Sequence, residues 1–243
     1  METMTTSIIL PFLVFFPFLG AVISYIIGRS NKGARDIWCW ILSAVIFIAS
    51  LMLIGKETVY SLRGFCGLGL SFVADGFGVI LAVLTGAIWL ITTIFSKEYM
   101  AAERNRNRYY FFVFLTLGAT MGIFLSADLF TTFIFFEIMS FTSFVLVMHD
   151  EEDFTVRSAK TYLAVAVIGG LVTLMGLFMM YQKAGTLNMT ELTAFMQSRE
   201  NPAEFYAIGV LILFGFAAKA GLFPLHIWLP NAYTVAPAPS SAL

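Results

Sequence analysis

This chain is short of charge. Asp, Glu, Lys and Arg make up 12% of its 243 residues, against about 25% in an average soluble domain. The net charge is −1, so nothing in it points to nucleic acid as a partner. Cysteine is scarcer in number, at two residues. Cys39 stands near the start of the second apolar run and Cys66 in the segment after it. The two are expected at opposite ends of a helix, which excludes a disulfide between them. No spacing of Cys, His, Asp and Glu suits a metal ion, and no segment is a recognisable cofactor site. Met1–Ser7 contains no Lys or Arg. It lacks the positive region of a cleavable signal peptide, and the first apolar run is expected to be a retained helix.

Hydrophobic residues are abundant, at 59%, and they come in long runs. Only helices and closed barrels cross lipid, and these runs are too long and continuous for barrel strands. The sequence therefore predicts an all-α polytopic membrane protein. Seven spans of near-bilayer length can be read, over 7–27, 36–54, 75–96, 109–127, 129–148, 158–181 and 204–221. Pro11 and Pro17 are expected to bend the first helix. Asp128, in a very tight link between the fourth and fifth spans, is expected to cap the fifth. The loops after the first, third and fifth spans hold nine Lys and Arg residues, and those after the second and sixth hold four. That bias puts the nine in the cytoplasm and the N-terminus outside. The location expected is the inner or plasma membrane of the cell.

Two charges break the apolar pattern. Lys219 lies about fifteen residues into the run Phe205–Phe223, near mid-bilayer at about 1.5 Å per residue. Glu137 lies in the middle of the run Leu129–Met148. A charge at that depth costs about 2.5–3.5 kcal/mol on insertion scales. The bland readings are a snorkelling lysine and a protonated glutamic acid hydrogen-bonded to a neighbouring helix. The functional reading is a pair whose separation sets its proton affinity, which is a proton switch. Ser140, three residues past Glu137, could support a bound water. Just beyond Lys219, Gly221, Pro224, Pro230, Pro237 and Pro239 interrupt the helix at membrane depth. Such backbone is tolerated only inside protein or along a watery cavity.

Lys160, near the cytoplasmic start of the sixth span with Tyr162, reads equally as an interfacial anchor or as a residue tuning Glu137. His226 reads equally as a proton relay or as a donor to loose carbonyls at the break. His149 and the acidic run Asp150–Asp153 read as a solvated loop. Gly64, Gly67 and Gly69 have no βαβ context and are not a dinucleotide site. Asn188-Met-Thr190 fits a glycosylation sequon weakly.

Three stretches carry a resemblance over essentially the whole chain. Phe135-Phe-Glu137-Ile-Met-Ser-Phe-Thr-Ser143 resembles the fifth-helix glutamate motif of the antiporter-like membrane subunits of respiratory complex I, the membrane-bound hydrogenases and the Mrp cation/proton antiporters. Arg157-Ser-Ala-Lys160-Thr-Tyr162 resembles the start of their sixth helix. The long stretch from Lys219 through Pro224, His226, Pro230 and Pro237 to Leu243 resembles their broken seventh helix and the start of the eighth. Asp75-Gly76 and Tyr99-Met100 also fit, while Asn231 stands where the family usually has Asp.

The resemblance implies a division into 1–108, the first three helices, and 109–243, an incomplete first antiporter-like repeat. That matches the N-terminal half of a family built from two inverted repeats. It implies that Glu137 and Lys219 work as a pair with Lys160 and His226 as further site residues, moving protons or sodium ions without a cofactor. It implies a non-redox subunit of a proton-translocating oxidoreductase or antiporter, with redox subunits and other membrane subunits as partners. One of those partners is expected to supply the remaining C-terminal helices. The alternative is a structural subunit without a complete ion path of its own.

Overall fold

The computed structural model describes residues 5–62, 64–198 and 203–243. Six of its helices are long and apolar enough to cross a membrane: α1 (Ile9–Ser30), α2 (Lys32–Leu51), α3 (Gly76–Tyr99), α5 (Leu129–Val147), α6 (Asp153–Ala184) and the broken segment Phe205–Val235. A further helix, α4 (Arg106–Phe124), is less apolar because it opens with Arg106, Asn107 and Arg108. It packs between α1 and α5, and eleven of its nineteen residues are buried. A helix sheathed by protein does not need a lipid-grade surface.

Helix starts follow local chemistry. Asp75 accepts the Gly78 amide at 2.6 Å to cap α3. Asp128 accepts Thr131 N–H at 2.7 Å and its hydroxyl at 2.6 Å to cap α5, as the sequence predicts. α1 runs as one helix through Pro17. Pro11 falls in its first turn, where the missing N–H has no intrahelical role.

The segment between α2 and α3 is not a plain loop. It forms β2 (Thr58–Leu62) and β3 (Leu70–Ala74), paired antiparallel with Val59 opposite Val73, and β1 (Thr5–Thr6) runs parallel to β2. Leu70, Phe72 and Ala74 turn inward by strand alternation and close one end of the bundle. The connecting turn places Gly64, Gly67 and Gly69 at φ of 90°, 79° and 84°, which gives these glycines a backbone reason. The segment after α6 holds a short helix, α7 (Met189–Gln197), whose N-terminus is capped by the Asn188 side chain.

Two expectations need correction. The second helix begins at Lys32, so Arg35 is not a loop residue: it is fully buried. His149 is buried too, edge-on to Tyr109 with ring centroids 5.8 Å apart, and its carbonyl accepts from Arg108 at 2.8 Å. Cys39 is a buried free thiol, while the side chain of Cys66 lies outside the described residues.

The apolar interior divides unevenly. One large cluster joins α1–α4, the sheet and part of α5. A second holds Phe133, Leu177, Leu192 and Ile208 toward the sheet end of α5 and α6. A third, small one holds Tyr162, Trp228 and Ala232 toward the other end. Glu137 and Lys219 lie in the seam between the second and the third.

Candidate functional site

The last span begins as α8 (Ala203–Ala220). It ends where Gly221 adopts φ of 68°, a conformation that glycine takes without strain and that terminates helices. The Leu222 amide closes back on the Ala217 carbonyl at 2.9 Å. Beyond the break, a 3-10 turn over Leu225–Ile227 leads into α9 (Trp228–Val235). The Trp228 indole N–H donates to the Ala218 carbonyl at 2.9 Å, so Trp228, rather than His226, meets that freed acceptor. Another short turn, α10 (Ala238–Ser241), follows.

Lys219 therefore stands in the last turn of α8, where the helix dipole favours a cation. Its Nζ donates to Glu137 Oε1 at 2.7 Å and to the Phe136 carbonyl at 3.2 Å. It also lies 4.3 Å from the Phe136 ring centroid. The side chains are 4% and 22% exposed, so Lys219 does not snorkel. Glu137 lies one residue before the midpoint of α5, 82 residues away in sequence.

Room for the Glu137 carboxyl comes from Gly170 on α6. A Cβ there would fall 2.5 Å from Glu137 Oε1. α6 and α8 approach closely for the same kind of reason: a Cβ on Gly215 would meet Thr173 Oγ1 at 1.8 Å and the Gly169 carbonyl at 2.3 Å. Gly170 is not among the residues that the sequence singles out, although an adjacent glycine pair inside a membrane run is a usable sign of close packing.

A polar line continues along α5. Ser140 Oγ donates to the Phe136 carbonyl at 2.7 Å, the same oxygen that Lys219 reaches. Ser143 Oγ and Tyr162 Oη bond at 2.6 Å, and the Tyr162 ring leans on Trp228 with centroids 4.8 Å apart. The seam thus offers hydroxyls and an ion pair from α5, α6 and the broken span.

The other candidates are not gathered here. Lys160 is exposed on α6 and bonds no other described side chain. It precedes Gly170 by ten residues, which is about 15 Å of helix. His226 is half-buried beside Phe223, with Nδ1 enclosed and no hydrogen-bond partner among the described residues. Asn231 is exposed. At the end of the bundle remote from the sheet, ligand atoms of Glu103, His149 and Asp150 come within 4.8 Å of one another. Two of these residues are exposed, and Arg108 stands beside the third.

Fold and site together define a polytopic membrane protein with an ion pair held at a helix break. Residues 126–243 match the family described as NADH:quinone oxidoreductase/Mrp antiporter, transmembrane. The chain is 31% identical over 247 residues to a Na(+)/H(+) antiporter subunit of Bacillus subtilis, covering 99% of this chain and 49% of that protein. It is 33% identical over 175 residues to the like-named protein of Alkalihalophilus pseudofirmus, covering 72% of this chain and 36% of that one. Among solved structures, the Mrp complex of a Dietzia species contains a chain 26% identical, with a TM-score of 0.83 over 96% of this chain and 26% of its own. An archaeal membrane-bound sulfane sulfur reductase shares the fold at 23% identity and a TM-score of 0.87, over 97% of this chain and 49% of its own. The chain belongs to the antiporter-like membrane subunit family, and it spans about half the length of the curated relatives it matches.

Proposed function

We propose that this chain is an ion-translocating membrane subunit of a larger antiporter or redox-driven complex, and that Glu137 and Lys219 are the groups that hand on the proton. The observation that carries the reading is the 2.7 Å contact between them at a helix break. A lysine bonded to a carboxylate keeps its proton; separated from it within an apolar seam, it releases that proton more readily. The break at Gly221 supplies the freedom, because the turn of α8 bearing Lys219 is not locked into a continuous helix. Ser140, Ser143 and Tyr162 line the approach along α5, and His226 stands past the break as a relay. Residues 109–243 act as the moving repeat and 1–108 as its support. Lys160 serves as an outlying charge that biases Glu137 from a distance.

Proton transport is favoured over sodium, because the pair offers one carboxylate already neutralised by an ammonium and no cage of oxygens for a bare cation. The complex sits in the cell's inner membrane with the N-terminus outside. Further membrane subunits are its partners.

The test is ΔpH formation in inverted vesicles carrying the assembled complex. Glu137→Gln and Lys219→Met are expected to reduce transport at least tenfold while the complex still assembles. Full transport by both assembled variants refutes the reading. The rival, a subunit that only braces its neighbours, gains support from the same contact, since it ties α5 to α8. That reading predicts lost assembly with unchanged transport per assembled complex.

A further inference from the structure

The outer side of α2 and α3 carries a groove unrelated to the Glu137–Lys219 seam. Trp40, Ile41, Ala44, Leu90 and Ile94 line a space of about 360 Å³ and expose no polar atom to it. The Trp40 indole is fixed by donating to the Thr93 carbonyl at 3.4 Å. Over its ring, 4.7 Å from the centroid, stands the ammonium of Lys97. Lys97 is exposed and forms no ion pair with any described carboxylate; Glu98 beside it does not engage it.

Behind Lys97 the charge is unbalanced. Arg106 donates to the Lys97 carbonyl at 3.2 Å and to Asp36 at 3.3 Å. Arg35 uses the other oxygen of the same Asp36 carboxylate. Two guanidinium groups thus share one carboxylate behind the ammonium of Lys97 at the mouth of an apolar groove. Burial of aliphatic length beside a fixed cation is the arrangement that retains a lipid with a negative headgroup.

We infer that the α2–α3 groove binds an acidic phospholipid. One acyl chain lies along Trp40, Ile41, Ala44, Leu90 and Ile94, and the headgroup phosphate rests on Lys97 with Arg106 behind it. A zwitterionic lipid brings the same chain, but its own cation offsets the phosphate. A helix of a partner subunit would fill the groove, yet it would have to bring an acidic group to Lys97.

The test uses the assembled complex in phosphatidylethanolamine vesicles. The vesicles carry a trace of either phosphatidylglycerol or phosphatidylcholine with a photoreactive group in the acyl chain. Labelled peptides are mapped by mass spectrometry. Phosphatidylglycerol is expected to label 40–44 and 90–94 about fivefold more than phosphatidylcholine, with the excess falling as salt rises. Lys97→Gln is expected to bring the two lipids level and Lys97→Arg to preserve the excess. Ala44→Trp, which fills the groove, is expected to remove labelling by both. Equal labelling by the two lipids on the unmodified complex overturns the proposal. So does an excess that Lys97→Gln leaves intact, or an Ile41→Cys variant that crosslinks to another subunit in place of lipid. Because the salt series needs no variant, a substitution that impairs assembly still leaves the question decided.

Discussion

Two buried ion pairs in this molecule make opposite use of the same physics. Arg35 and Asp36 are neighbours in sequence and are 1% and 7% exposed. Arg35 reaches one Asp36 oxygen through Nε at 3.1 Å and Nη2 at 2.7 Å, bonds Asn107 and stacks 4.8 Å from the Tyr110 ring centroid. Arg106 holds the other oxygen. α2 and α4 are intact through these residues, so every partner is fixed. Glu137 and Lys219 are held by one ion contact, one carbonyl and one ring face, and the helix ends a residue after the lysine. A buried pair with many partners on continuous helices is a brace. On the function proposed above, a pair with few partners beside a break is the one that separates.

The largest expected effect comes from breaking the brace. Arg35→Met leaves Asp36 and Asn107 short of a donor in a closed site, and such a loss is worth about 3–5 kcal/mol. The thermal unfolding temperature of the purified complex should fall sharply, whereas Lys219→Met should be mild, because Glu137 is 22% exposed and less enclosed than Asp36 at 7%. Equal destabilisation by the two would abolish the distinction between brace and separable pair.

Next in size is Gly215→Leu. The obstacles at that position are the Gly169 carbonyl and Thr173 Cβ as well as a hydroxyl, so α6 and α8 must part, at about 1–3 kcal/mol or more. Both stability and transport should drop.

Gly170→Ala sharpens the comparison because it separates the two readouts. The three atoms nearest its new methyl all belong to the end of the Glu137 side chain, which is more yielding than backbone. Stability should change by less than about 1 kcal/mol, while transport falls about tenfold through a misplaced carboxyl. Unchanged transport would place the working position of Glu137 elsewhere.

The smallest effect concerns pH at the loop beyond the brace. Burial holds the His149 imidazole below its ordinary 6.5, helped by Arg108. The hydrogen bond from Arg108 holds the exposed Glu151 carboxyl below its ordinary 4.5. Both groups bind protons more weakly when folded, so the stability they contribute is present above those values and is lost as the pH falls. Protection factors of amides 148–153 against hydrogen exchange should therefore first begin to fall below about pH 6.5. His149→Gln should remove that first step and leave the second.

Much of this was readable in the residues. Apolar runs announced the spans, and the capping of α5 by Asp128 followed from its place at the link. The cluster from Gly221 to Pro239 marked the break, and two charges in apolar surroundings marked Glu137 and Lys219. What escaped had either no local signature or a misleading one. Arg35 and His149 look like loop residues, since polarity alone cannot show that distant partners enclose them. The sheet was hidden in short strands between long helices. Gly170 matters only because Glu137, on another helix, needs the space.

A bundle of membrane helices with one span broken beside a lysine follows from the residues alone. Hydropathy and backbone chemistry act over a few neighbouring residues, and nothing distant is needed to read them. Packing between helices did the rest. It turned Lys219 to Glu137, closed the break with Trp228 instead of His226, and left Lys160 apart. Each of those outcomes depends on which helix faces which and at what depth, and that arrangement is set among residues far apart in the chain.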